Sequence, residues 1–173
     1  MSSKRVIVTG TESTGKTTLC EQLCLHYQCT YVPDVSRDYI AALNRAYTYE
    51  DVLEIAKGII KAEDEALLQP APFVLSDNDL INIKIWLQYY NWHVPQWLED
   101  AIVDRKPDLF LLCDIDLPWV ADEQRANPND RDILFQQFTS VLNKLGVQYQ
   151  LISGTYAQRL QSAVNHVDFM LTK

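Results

Sequence analysis

No apolar run in this sequence approaches the 18 residues that a membrane-spanning helix needs. The start, Met1-Ser2-Ser3-Lys4-Arg5, leads straight into a strand-like stretch, so neither a spanning segment nor a signal peptide is expected. Basic charge is also short: 15 Lys and Arg stand against 23 Asp and Glu, for a net charge of −8. Nucleic acid and anionic membranes both call for a basic face, so neither is expected as the main partner. Cysteine occurs only at 20, 24, 29 and 113, in or beside apolar segments of a chain too large to need disulfides. The four read as reduced core thiols of a cytoplasmic protein. Cys20, Cys24 and His26 have no second ligand pair at zinc spacing, which argues against a metal there. Repeats, low-complexity tracts and Pro-, Gly- or Ser-rich linkers are missing too, which leaves one domain over 1–173.

Glycine is scarce, five in 173 residues, yet two of the five stand in Gly10-Thr11-Glu12-Ser13-Thr14-Gly15-Lys16-Thr17. That stretch fits G-x-x-x-x-G-K-[ST] without a mismatch. It follows Val6-Ile7-Val8 and precedes a helix-like run to Tyr27, with Leu19, Leu23 and Tyr27 four apart. This is the strand–loop–helix setting that a phosphate-binding loop requires. Its glycines let the backbone wrap a diphosphate with N–H groups where no Cβ would fit. The helix N-terminus adds partial positive charge, Lys16 reaches the β/γ oxygens, and Thr17 offers a hydroxyl to Mg²⁺. Residues 10–17, with Thr18 behind them, are therefore expected to bind a nucleoside triphosphate with its Mg²⁺.

Strand, loop and helix signals then repeat, which predicts an α/β domain with a mostly parallel sheet. Strands are expected at 4–9, 29–32, 73–75, 109–113 and 147–152. Helices are expected near 17–27, 36–45, 49–68, 79–91, 94–104 and 131–145, with a last one after Ser153-Gly154. Each strand ends on polar residues, and the carboxyl edge of an open α/β sheet is where ligands bind. Asp34, Asp77, Asp79, Asp114 and Asp116 thus become candidates, although each taken singly serves equally well as a helix N-cap.

Other users of such a loop fit poorly. A GTPase switch needs Asp-x-x-Gly, and none of the five glycines has Asp three residues before it. A motor ATPase usually carries Asp-Glu after its third strand, where this chain has Asp77-Asn78. A kinase for a small acceptor needs a carboxylate near the acceptor hydroxyl, an acceptor pocket and a cationic segment over the phosphates. Residues 117–131 supply such a short lid, with Arg125 and Arg131 bracketing Asn127-Pro128-Asn129. A segment of this kind can exclude water and place guanidinium groups on the transferring phosphoryl.

Four further strings carry a resemblance. Ser-Asp-Asn-Asp-Leu-Ile-Asn-Ile-Lys-Ile-Trp (76–86), Asp-Ile-Asp-Leu-Pro-Trp-Val-Ala-Asp (114–122), Pro-Asn-Asp-Arg (128–131) and Ser-Gly-Thr-Tyr-Ala-Gln-Arg-Leu (153–160) resemble the ribosylnicotinamide kinase domain of NadR-type NAD-biosynthesis proteins. The resemblance runs from the phosphate loop to the last helix. It implies a P-loop NTPase fold, a three-layer α/β/α sandwich whose five-stranded parallel sheet has the order 2-3-1-4-5. It also implies phosphoryl transfer from ATP to the 5′-hydroxyl of nicotinamide riboside. Multidomain members add a helix-turn-helix and an adenylyltransferase; this sequence starts at the kinase and holds no His-x-Gly-His. Where the family commonly has Asp-Thr-Asp and Glu-Tyr-Ala-Arg, this chain has Asp77-Asn78-Asp79 and Asp34-Val35-Ser36-Arg37. Both departures keep the acid, and the second keeps Arg37.

With that strand order, the third strand neighbours the first, and Asp77 stands opposite Thr17 as a holder of Mg²⁺. Asp34 lies two strands from the loop strand, about 10 Å, which suits the acceptor hydroxyl, with Arg37 beside it; Asp79 competes for that role. Among Trp86, Tyr89, Tyr90, Trp92 and Trp97, Trp86 is the best placed to meet a cationic ring, although aromatics at helical spacing usually form core. From the resemblance, Gly154, Tyr156 and Arg159 fall where the adenine of ATP rests. The expected partners are ATP and a small nucleoside; oligomeric state is left open.

Overall fold

Successive residues of the first strand, β1 (Lys4–Thr9), enter two different cores in the computed structural model, which describes residues 4–121 and 129–173. Val6 and Val8 pack into one and Ile7 into the other. This is the period of two of a strand covered on both faces, and it explains why the strands read as unbroken apolar runs.

The chain continues through α1 (Lys16–Tyr27), β2 (Thr30–Val32), α2 (Val35–Ala41), α3 (Tyr49–Leu67), β3 (Phe73–Asp77), α4 (Leu80–Tyr89) and α5 (Gln96–Asp104). It then runs through β4 (Leu109–Cys113), α6 (Arg131–Lys144), β5 (Tyr149–Ile152) and α7 (Tyr156–Leu171). The strands form one sheet in the order β2-β3-β1-β4-β5, and every neighbouring pair is parallel. This is the expected three-layer sandwich. Helices α3, α4, α5 and α6 cover the face that carries Ile7, Phe110 and Leu112, and α1 and α7 cover the face that carries Val8, Leu75 and Leu111. No helix among the described residues is long and apolar enough to cross a membrane.

Element ends differ from expectation where local signals are weak. β3 runs on to Asp77 because Ser76 and Asp77 keep register with Ile7 and Val8 of the central strand. Helix α4 stops at Tyr89, before the left-handed Asn91 at φ 54, and α5 waits for Pro95 as its N-cap. The second helix closes early, at Ala41 instead of 45. Cys20, Cys29 and Cys113 are buried, Cys24 is half-buried, and all four are free thiols.

Candidate active site

The segments that follow β1, β2, β3, β4 and β5 all contribute to one cavity of about 490 Å³. Its first wall is the phosphate loop. Gly10 sits at φ +135, and a Cβ there would come within 2.9 Å of the Cys113 carbonyl oxygen. Gly15 sits at φ +77, facing Leu117 and Tyr156. Gly10 therefore needs glycine for conformation and for space, and Gly15 needs it for conformation. Lys16 Nζ donates to the carbonyls of Gly10 and Thr11 at 2.9 and 2.7 Å, so the ammonium lies across the loop. Glu12, Ser13, Thr14, Thr17 and Thr18 also line the cavity.

Register places Asp77 beside Val8, at the end of β3 next to the loop strand. The Thr17 hydroxyl donates to Asp77 Oδ2 at 2.6 Å and the Tyr31 hydroxyl to the same oxygen at 3.4 Å. Burial raises the Asp77 carboxyl above its ordinary range, and the Asp34 charge adds to this, against Lys16 and the Thr17 hydroxyl. Two hard oxygens this close suit Mg²⁺, which takes few protein ligands and keeps water and phosphate oxygens around it.

Asp34 caps α2. Its Oδ1 accepts from the Ser36 amide at 3.0 Å, the Ser36 hydroxyl at 2.6 Å and Asn78 Nδ2 at 3.2 Å. Those bonds fix the carboxylate on the cavity wall, with Arg37 beside it and Oδ2 outside the capping bonds. Asp79 goes elsewhere, and the expectation that it meets the acceptor is corrected. Asn78 adopts φ 94 and turns the chain, so Asp79 points into the interior, 3% exposed. There it caps α4 by accepting from the Asn82 amide at 3.0 Å, and the Thr9 hydroxyl donates to it at 3.3 Å. Burial pushes its carboxyl up to about 7.

The far end of the cavity is aromatic. Trp86, Tyr89 and Tyr90 line it, whereas Trp92 stacks behind Tyr90 and Trp97 lies on α5 away from it. Sequence reasoning missed Tyr47, which precedes α3, meets Trp86 edge-on at 5.0 Å and donates to the Tyr90 hydroxyl at 2.8 Å. Its one signal is the neighbouring Thr48–Asp51 capping box, which fixes the chain's entry into α3. Ile40, Leu134 and Phe138, also missed, give that end an apolar floor.

Arg131 reaches the loop: its Nη1 donates to the Leu117 carbonyl at 3.0 Å and its Nη2 to the Ser13 carbonyl at 3.2 Å. The guanidinium also lies 5.9 Å from the Trp119 ring. Arg125 lies outside the described residues. Tyr156 lines the cavity, but Arg131, Gly154 and Arg159 do not. Arg159 is 1% exposed, and its guanidinium donates to the carbonyls of Gly154, Thr14 and Asp114 and to the Asp116 carboxylate. It braces the phosphate loop from behind, which corrects its assignment to direct contact with ATP. Asp114 and Asp116 belong to the same brace, Asp116 accepting also from the Gly154 amide at 2.5 Å.

The chain is similar to the trifunctional NAD biosynthesis/regulator protein NadR of Salmonella typhimurium, 27% identical over 127 residues. That match covers 71% of this chain and 31% of the relative, so the chain spans about a third of the relative's length. A crystal structure of NadR in complex with NR superimposes with a TM-score of 0.83 at 21% identity, covering 99% of this chain and 51% of that one. A second, of NadR with NAD and AMP-PNP, gives 0.82 at 22% identity, covering 99% and 50%. Thymidylate kinase from Ehrlichia chaffeensis gives 0.67 at 15% identity, covering 98% and 100%, and shares the fold. A family model described as an AAA domain (AAA_28) matches residues 5–159, and the chain belongs to that family.

Proposed function

We propose that this protein is a small-molecule kinase that moves the γ-phosphoryl group of ATP to the 5′-hydroxyl of nicotinamide riboside, giving the mononucleotide. The observation that carries the proposal is a single cavity with a phosphate loop at one end, an aromatic wall at the other, and Asp34 between them. Its likeness to NadR, one structure of which holds NR, supports the choice of acceptor.

Each residue has a role in this reading. The loop amides and Lys16 hold the phosphates; Arg131 bonds the Ser13 and Leu117 carbonyls from outside the cavity lining, and would meet charge on the transferring group by exchanging those partners. Thr17 and Asp77 would hold Mg²⁺, which would offset the charge of the phosphates. The free oxygen of Asp34 accepts the acceptor hydroxyl's proton bond and aims its oxygen at phosphorus. Positioning matters more than basicity here, because the proton leaves late in a loose phosphoryl transition state. Trp86 and Tyr47 offer faces and edges to a cationic ring, an attraction worth about 0.5–2 kcal/mol. Arg125, if it closes over ATP, adds a second guanidinium. Work in the cytoplasm, beside ATP and its Mg²⁺, fits the reading.

The acceptor wall also favours a nucleoside over a nucleotide. Among the described residues lining the cavity, the cations are Lys16 in the loop and Arg37 beside Asp34. A monophosphate acceptor would bring a dianion beside the Asp34 and Asp77 carboxylates, which repel it, and against aromatic side chains that leave it desolvated.

A coupled ADP-release assay with Mg·ATP and a panel of nicotinamide riboside, cytidine, uridine, adenosine and thiamine tests the proposal. Stimulation by nicotinamide riboside alone, with the mononucleotide found by mass spectrometry, is expected. No stimulation by any acceptor would overturn it and favour an ATP-binding regulatory module.

A further inference from the structure

Tyr89, the last residue of α4, donates its hydroxyl to Asp130 Oδ2 at 2.7 Å. Asp130 stands at the N-cap of α6, yet its side chain makes no capping bond. A carboxylate at that position ordinarily accepts from an amide of the first helical turn. Tyr89 thus holds it across to the neighbouring helix instead. The next residue is Arg131, whose guanidinium bonds the carbonyls of Ser13 and Leu117. On its other side the Tyr89 ring meets Tyr90 edge-on at 5.3 Å, and Tyr90 accepts from Tyr47, which borders Trp86. Tyr89, Tyr90, Tyr47 and Trp86 all line the cavity. One side chain therefore both borders the aromatic end and anchors the start of the helix that carries the arginine.

We infer that Tyr89 is a positioning residue: by holding Asp130 it sets Arg131 against the phosphate loop, and so ties the placement of that cation to the acceptor end of the cavity. The inference rests on the kinase reading above. Its chemical consequence is a choice of nucleophile. With Arg131 set, the γ-phosphoryl bond to the ADP oxygen breaks as the bond to the acceptor oxygen forms, and the acceptor proton leaves to solvent or to Asp34. With Arg131 released, water takes the acceptor's place more often. The bond to Asp130 also raises the Tyr89 hydroxyl above its ordinary titration range.

The test compares Tyr89→Phe, which keeps the ring, with Asp130→Ala and the double variant. At saturating nicotinamide riboside, kcat should fall about tenfold in each single variant, the loss of one bond to a charged group. KM for both substrates should stay within about twofold, and the double variant should be no worse than either single one, because the two act through one bond. The share of ADP released without phosphorylated product should rise. A residue that merely packs would raise acceptor KM or lower the unfolding midpoint with kcat intact; that result, or losses that multiply in the double variant, would overturn the inference. If no acceptor stimulates the native enzyme, the kinase reading fails by itself. The same variants then decide on basal ATP turnover: non-additive changes uphold the positioning role, and unchanged rates overturn it.

Discussion

Replacing Asp34 by Asn isolates the one oxygen that the capping bonds leave for an acceptor. Oδ1 already serves the Ser36 amide, the Ser36 hydroxyl and Asn78. Asn is as good an N-cap as Asp, so its carbonyl can keep those partners and the start of α2 survives. What changes is the other atom: a charged acceptor becomes an NH₂ donor facing the substrate hydroxyl. The lost bond to a charged group is worth about 1.5–3 kcal/mol, or roughly 10- to 150-fold in kcat/KM for the acceptor. KM for ATP should change little, since the Asp34 carboxylate bonds neither the loop nor Thr17. A side effect has a defined sign: Asp34 helps to raise Asp77, so its neutralisation lowers the Asp77 carboxyl. Steady-state kinetics with each substrate varied in turn, beside an unfolding midpoint as a fold control, provide the assay. An acceptor kcat/KM within about twofold of native, or an equal loss on the ATP side, would refute the role given to Asp34.

Substitutions at three other positions separate the remaining roles. Lys16→Ala removes the ammonium that lies on the Gly10 and Thr11 carbonyls, and ADP release should fall by about a hundredfold or more. Arg159→Met leaves the Thr14, Asp114 and Gly154 carbonyls without their donor, and should cost about 3 kcal/mol or more in urea unfolding. Arg159→Lys should recover only part of that, and a loss under about 1 kcal/mol for Met would refute the brace. Asp79 is raised by burial to about 7, so between about pH 4 and 7 the native state keeps a proton that the unfolded chain has released. Stability therefore falls as pH rises through that window. Asp79→Asn should flatten the fall, with a relative gain on the order of 3 kcal/mol at pH 8, and parallel profiles at pH 5.5 and 8 would contradict it.

The fold was legible because strands covered on both faces leave unbroken apolar runs, such as Leu109–Cys113, between polar ends. The phosphate loop was legible because its glycines are demanded by backbone geometry and not by neighbours that only the folded chain supplies. Asp79 could not be told from a cavity residue such as Asp77 on that basis. Two residues apart on a continuing strand they would share a face, and both would meet the cavity. The left-handed turn at Asn78 breaks that alternation, and Asn tolerates positive φ without announcing it.

Arg159 shows a second limit. A cation just after the last strand suits a phosphate contact and a brace equally well by sequence. The decision lies in partners at Thr14 and Asp114, distant along the chain, and in burial that only the docking of α7 creates. Tyr47 shows a third, because a residue between two helices has no periodicity to report which way it faces. The same reasoning bears on the aromatic wall. Helical spacing assigned Trp86, Tyr89 and Tyr90 to core or cavity without choosing. The structure gives each of them both roles, packed against one another on one side and open to the cavity on the other. Packing of this kind fixes the rotamers of a binding surface before any ligand arrives, which lowers the ordering cost of binding. A wall so fixed should reject an acceptor lacking a flat ring, whatever sugar it carries, and keep that preference when Asp34 no longer receives the hydroxyl.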